Sequence, residues 1–130
     1  MKYILLMTGT KPGVNSYRAW TKADADAHMA ILRNISKELT ESGEFVGTHG
    51  LAGPDQATLV RGEKDGMPVT DGIFPESKEF LLGYWIVDVS TRERALAIAG
   101  RISAAAGPGG VPTNMPIEVR QIMDRPEKSS

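Results

Sequence analysis

The chain has 130 residues, 41% of them hydrophobic and 24% charged, a balance that fits one domain with its own core. Lys plus Arg number 15 against 16 Asp plus Glu, which gives no footprint for a phosphate backbone or an anionic membrane, so neither nucleic acid nor membrane is expected as a partner. The absence of cysteine excludes a disulfide, a thiolate nucleophile and any Cys-ligated metal.

Lys2 to Thr8 is a nearly continuous apolar run that reads as a central strand covered on both faces. Tyr3 to Met7 is shorter than the roughly 7 to 15 apolar residues of a signal-peptide core, and nothing approaches the roughly 18 of a membrane span, so a cytoplasmic location is expected. Gly9 to Trp20, broken by Gly, Pro and Asn, reads as a long loop. Thr21 offers an N-cap with Asp24 three residues on, and 22–42 then runs without Gly or Pro to a stop at Gly43. Ala25, Met29, Leu32, Ile35 (or Ser36) and Leu39 recur at helical spacing as its inward face. His28, beside Met29, is expected at the surface or its boundary.

Glu44 to Leu51 alternates as a strand does. Ala57 to Arg61 leads into the turn Glu63, Lys64, Asp65, Gly66, with Met67 to Thr70 returning as a hairpin arm. Phe80 to Val89 is a second near-continuous apolar strand. Ser90 and Glu93 form a capping box opening a helix from Thr91 to about Ala105, with Ala95, Ile98, Ala99 and Ile102 inward. Gly107 to Pro112 is a loop, Pro116 to Met123 a closing strand, and 124–130 a polar tail outside the domain, 1–123.

Two apolar strands, each followed by a helix, suit the central parallel strands of a split βαβ sheet, a ferredoxin-like α+β fold with both helices on one face. The other face, with Tyr84, Ile86, Val119 and Phe45 as candidates, is too apolar to leave in water. A second copy's sheet is the expected cover, giving a homodimer.

The stretch Thr70 to Glu79, TDGIFPESKE, followed by Leu82, Gly83, Tyr84 and Trp85, resembles the signature of the DGPF group of YCII-related proteins. The opening MKYILLM, Thr48 to Leu51, Ala57 with Thr58, and the closing IEVRQI are similar to the same family in the same order. The chain departs from the pattern at Ile73, Pro75, Leu82 and Gln121, which bears on the loop's local geometry more than on the fold. The resemblance implies a dimeric α/β barrel of two ferredoxin-like sheets packed face to face. A few such relatives are tied to a His and Asp acid–base pair or to dehydrochlorination of a ring substrate, and some accompany a sigma factor.

His49 sits mid-strand between Gly47 and Gly50, which leave room for a ligand, and Asp71 opens the motif loop, where its carboxylate can orient an imidazole that acts as a base. The plainer alternatives are a half-buried histidine bonded to backbone and an Asx-turn shaping the bend at Gly72. Glu76, Ser77, Lys78 and Glu79, beside Phe74 and Phe80, are candidate pocket residues, against a reading as solvated loop charge. Arg61 and Arg120, on neighbouring strands in this topology, are candidates for an anionic group, against surface ion pairs worth about 0 to 1 kcal/mol. Tyr84 and Trp85 point to opposite faces, so only one of them meets a pocket or interface, and core packing suits both.

Two distant histidines carry no metal-ligand spacing, and Gly107, Gly109 and Gly110 follow a helix rather than open one, so no metal, nucleotide or other cofactor is expected. No nucleophile elbow of the G-x-S-x-G type occurs. Two function classes stand: a cofactor-free enzyme using His49 and Asp71 on a small aromatic or carbonyl substrate, and a non-catalytic module that holds a small molecule or meets a partner such as a sigma factor.

Overall fold

A computed structural model describes residues 1–72 and 79–123. In chain order these form β1 (Lys2–Thr10), α1 (Lys11–Arg18), α2 (Lys22–Glu41), β2 (Phe45–Gly50), a 3-10 turn at Pro54–Gln56, β3 (Thr58–Gly62), β4 (Pro68–Gly72), β5 (Glu79–Asp88), α3 (Arg92–Ser103), a 3-10 turn at Pro108–Gly110 and β6 (Ile117–Gln121). The fold is mixed α+β, with an open antiparallel four-stranded sheet and three helices, consistent with a ferredoxin-like α+β arrangement.

The large sheet has the order β2-β5-β1-β6. Its central strands, expected to be parallel, run antiparallel, from Lys2 opposite Asp88 to Thr10 opposite Glu79. The correction follows from how a split βαβ unit works: the strand returning parallel to β1 is β2, and β5 is inserted between them, antiparallel to both. One core lies on the helix side of the sheet. Tyr3 and Leu5 of β1 and Trp85 and Val87 of β5 meet Ile35 and Leu39 of α2 and Ala95, Ile98, Ala99 and Ile102 of α3.

The caps account for the helix ends. Thr21 accepts from the Asp24 amide at 3.1 Å to open α2, and Gly43, at φ 79°, supplies the left-handed turn after it. Thr91, not Ser90, caps α3, accepting from the Arg94 amide at 3.2 Å. The segment expected as a loop holds α1, because the Thr10 hydroxyl accepts from the Gly13 amide and Pro12 sits in the first turn, where its missing N–H costs nothing. His28, expected near the surface, is buried at 4% exposure, while Met29 is 40% exposed. Here α2 packs against Trp20 and the 105–107 segment, and the stripe it turns inward runs 28, 32, 35, 39.

Two bulges redistribute the faces. In β5 the register slips between Met7 and Thr8, leaving Leu82 as the extra residue. Leu82, expected beside Tyr84 and Ile86, therefore turns toward Gly9, and Leu81 is exposed opposite Thr8. The register of β2 slips between Phe45 and Gly47. Phe45 and Val119, expected on the uncovered face, pack against the helix-side core instead. Tyr84 and Ile86 do lie on the helix-free face, half-buried beside Leu6 and Ile4, their partners on β1.

Among the described residues β3 and β4 pair only with each other, as a two-stranded sheet closed by Gly66 at φ 81°. Arg61 and Arg120 are therefore not on neighbouring strands. Arg61 sits opposite Val69 in this hairpin, and Arg120 opposite Ile4 at the edge of the large sheet.

Candidate functional site

A cavity of about 840 Å³ lies between the helices and the sheet. Met7, Leu82 and Trp85 line it from β1 and β5, Val14 and Tyr17 from α1, Trp20 from the connection, and His28, Met29 and Leu32 from α2. The Leu82 bulge of β5, Gly9 of β1 and the Thr10-capped α1 all border it. The lining is mostly apolar, and its hydroxyls are largely taken. Thr8 donates to the Pro116 carbonyl at 3.3 Å and Thr48 to the Tyr84 carbonyl at 2.9 Å. Such a surface suits a compact, largely apolar molecule positioned by few polar contacts.

Charged groups gather at the margin. Arg18 bonds Asp55 at 2.9 Å, fastening α1 to the turn after β2, and that guanidinium holds the Asp55 carboxyl below its usual range. Arg33 and Glu79 also border the cavity. Within it, the Nδ1 of His28 lies 2.9 Å from the Ala106 carbonyl oxygen. The Trp20 ring stands edge-on to the imidazole at 5.3 Å between centroids, and the Tyr17 ring at 6.4 Å.

The residues singled out in the sequence are distributed as follows. His49 borders the cavity, is exposed, and pairs across the strands with Tyr84, their rings 5.8 Å apart. Asp71 stands opposite Leu59 on β4, in the hairpin, so His49 and Asp71 belong to different sheets. Tyr84 does not line the cavity, being on the helix-free face. Phe74, Glu76, Ser77 and Lys78, and the 124–130 tail, lie outside the described residues. Among the described residues no three His, Asp or Glu side chains gather to hold a metal ion, and no helix is long and apolar enough to cross a membrane. The residue that sequence reasoning passed over is His28. Its signal was the unbroken 4-3-4 spacing His28, Leu32, Ile35, Leu39, which puts it on the buried stripe in place of Met29.

The family model for the YCII-related domain matches residues 1–119. The chain belongs to the YCII-related family. Among curated proteins, the YCII-related chain is 30% identical over 87 residues to the uncharacterized protein R00369 of Rhizobium meliloti (strain 1021), covering 67% of this chain and 70% of that protein. Neither likeness carries a reaction, so the chemistry of this YCII-related protein has to be argued from its cavity.

Proposed function

We propose that this YCII-related protein is a homodimer that binds a small aromatic or carbonyl-bearing molecule in the cavity and acts on it by acid–base chemistry without a cofactor. The observation that carries this reading is the cavity itself: about 840 Å³, walled by Trp20, Trp85, Leu82 and Met7, with histidine at its border. A flat ring gains apolar contact there and loses few hydrogen bonds to water. In this reading His49 is the base and Asp71 its orienting partner. A carboxylate that accepts from one imidazole nitrogen leaves the other bare, ready to take a proton from a carbon next to a carbonyl or from a ring hydroxyl. The same cavity serves a module that only holds its ligand, and turnover separates the two.

The test is a screen of ring and carbonyl compounds by quenching of tryptophan fluorescence, followed by assays of product. His49→Ala and Asp71→Asn are expected to leave the melting temperature nearly unchanged and to abolish turnover. A large, shared loss of stability with turnover per folded molecule intact overturns the assignment. Binding without product in any case selects the non-catalytic module.

A further inference from the structure

We infer that His28 is the polar anchor of the cavity, its Nε2 accepting the acidic hydroxyl proton of a phenol-like or enol-like ring ligand. The inference rests on the reading of the cavity as a ligand site, and it concerns a residue that this reading does not use.

The geometry sets the tautomer. A carbonyl oxygen only accepts, so the 2.9 Å contact from Nδ1 to the Ala106 oxygen places a proton on Nδ1. In the neutral ring Nε2 is then a bare lone pair. Among the described residues Nε2 has no protein partner, since His28 makes no hydrogen bond other than the one to Ala106. Yet among those residues no buried side-chain nitrogen or oxygen lacks a partner. Both statements hold only if Nε2 reaches open space. With the side chain 4% exposed, the space that His28 borders is the cavity.

The imidazole is also held in place. The edges of Trp20 and Tyr17 fence it, at 86° and 72° to its plane, and Nδ1 ties it to the 105–107 segment. A base fixed in orientation before its ligand arrives loses little freedom on binding. A purely structural histidine, linking α2 to Ala106, needs only Nδ1. Nε2, which opens into the apolar lining, is left over for a ligand to bond.

That arrangement defines the ligand class. Trp85, Leu82 and Met7 offer a surface for a flat apolar body, and Nε2 takes one hydroxyl. On transfer, the O–H bond breaks, the N–H bond forms on Nε2, and the oxygen keeps the electron pair as phenolate or enolate. The imidazolium then donates from both nitrogens, to Ala106 and to the anion. Arg33 at the border has no ion-pair partner among the described residues, so it adds a positive charge that favours the anion.

The probe is 4-nitrophenol, added to the full-length protein. Saturable quenching of tryptophan fluorescence is expected, together with a shift of the His28 Nε2 resonance in two-bond nitrogen–proton spectra. His28→Asn places an amide N–H where Nδ1–H was and removes the Nε2 lone pair, so it should melt near the wild-type temperature and bind the phenol at least tenfold more weakly. His28→Gln, whose amide reaches toward the Nε2 position, should retain part of the affinity. Wild-type-like binding by the Asn variant, or an unmoved His28 signal in saturated wild-type protein, overturns the inference and leaves the cavity reading intact. Should the Asn variant not fold, the wild-type spectra decide. No saturable binding of 4-nitrophenol overturns both.

Discussion

Trp20 rests on Gly107 so closely that a Cβ on the glycine would lie 2.8 Å from two carbons of the indole ring. The glycine's backbone is extended, with φ −106°, so what it contributes is space and not a special conformation. This contact seats the indole that fences His28, one residue from the carbonyl that fixes Nδ1. Gly107→Ala is therefore expected to push Trp20 off its seat and to destabilise by about 1 to 3 kcal/mol through overpacking. Denaturant unfolding followed by tryptophan fluorescence measures it. An unchanged midpoint with an unchanged emission spectrum would show that the ring yields without cost.

Glu44 and Arg94 tie the start of β2 to the first turn of α3. Arg94 donates from Nε and Nη2 to the two carboxylate oxygens, each at 2.9 Å, and the Ser42 hydroxyl adds a third bond at 2.7 Å. The Arg94 guanidinium holds the Glu44 carboxyl below its usual range, partly opposed by burial, and Glu44 raises Arg94 in turn. A carboxyl lowered in the folded state stabilises at pH values above its unfolded pKa, and the contribution is lost as pH falls through the folded value. Glu44→Gln should cost about 1 kcal/mol at pH 7, the upper end for a part-exposed pair with two-point geometry. The gap between wild type and variant should close in the acid range. A gap that is constant from neutral pH to pH 3 would assign the effect to packing.

Gly83 marks the close approach of β2 to β5. A Cβ there would meet the His49 carbonyl oxygen at 2.9 Å and the Gly50 Cα at 3.3 Å, both backbone atoms that cannot swing aside. Gly83→Ala should loosen the end of β2, weaken amide protection from Thr48 to Leu51, and cost about 1 to 3 kcal/mol. Hydrogen exchange resolves the effect by residue. Loss spread evenly over the sheet would contradict it.

Much of this was legible in the sequence because it is periodic. The apolar stripes of α2 and α3 and the runs of β1 and β5 belong to elements whose local preferences agree with their burial. α1 was not legible, since Gly13 and Asn15 argue against a helix while Thr10 and Pro12 argue for one, and the cap outweighs the propensities. The direction of the central strands and the Leu82 bulge are properties of pairing, which no single segment encodes. For the site, the sequence drew attention to His49 through its small neighbours. It hid His28, whose partners Ala106 and Trp20 come from separate parts of the chain. Periodicity alone does not say that a polar residue on a buried stripe faces a cavity.

The proposed homodimer is tested through the helix-free face of the sheet. Ile4 and Leu6 on β1 stand opposite Ile86 and Tyr84 on β5, four half-buried apolar side chains at the centre. Glu118 and Arg120 on β6 flank them, opposite Leu6 and Ile4. An apolar centre with a polar margin is the composition of an interface. If ~800 Å² per subunit is covered, at ~25 cal/mol per Å² for its apolar part, gross burial is on the order of 10 kcal/mol before association costs. Sedimentation equilibrium should therefore give a dimer at micromolar concentration. Tyr84→Asp and Ile86→Glu should each give a folded monomer, because neither side chain belongs to the helix-side core. Trp85→Asp, one position along but 2% exposed within that core, should unfold the chain instead. A well-folded wild-type monomer at every concentration rejects the face-to-face dimer, and dimers that survive both substitutions place the interface elsewhere.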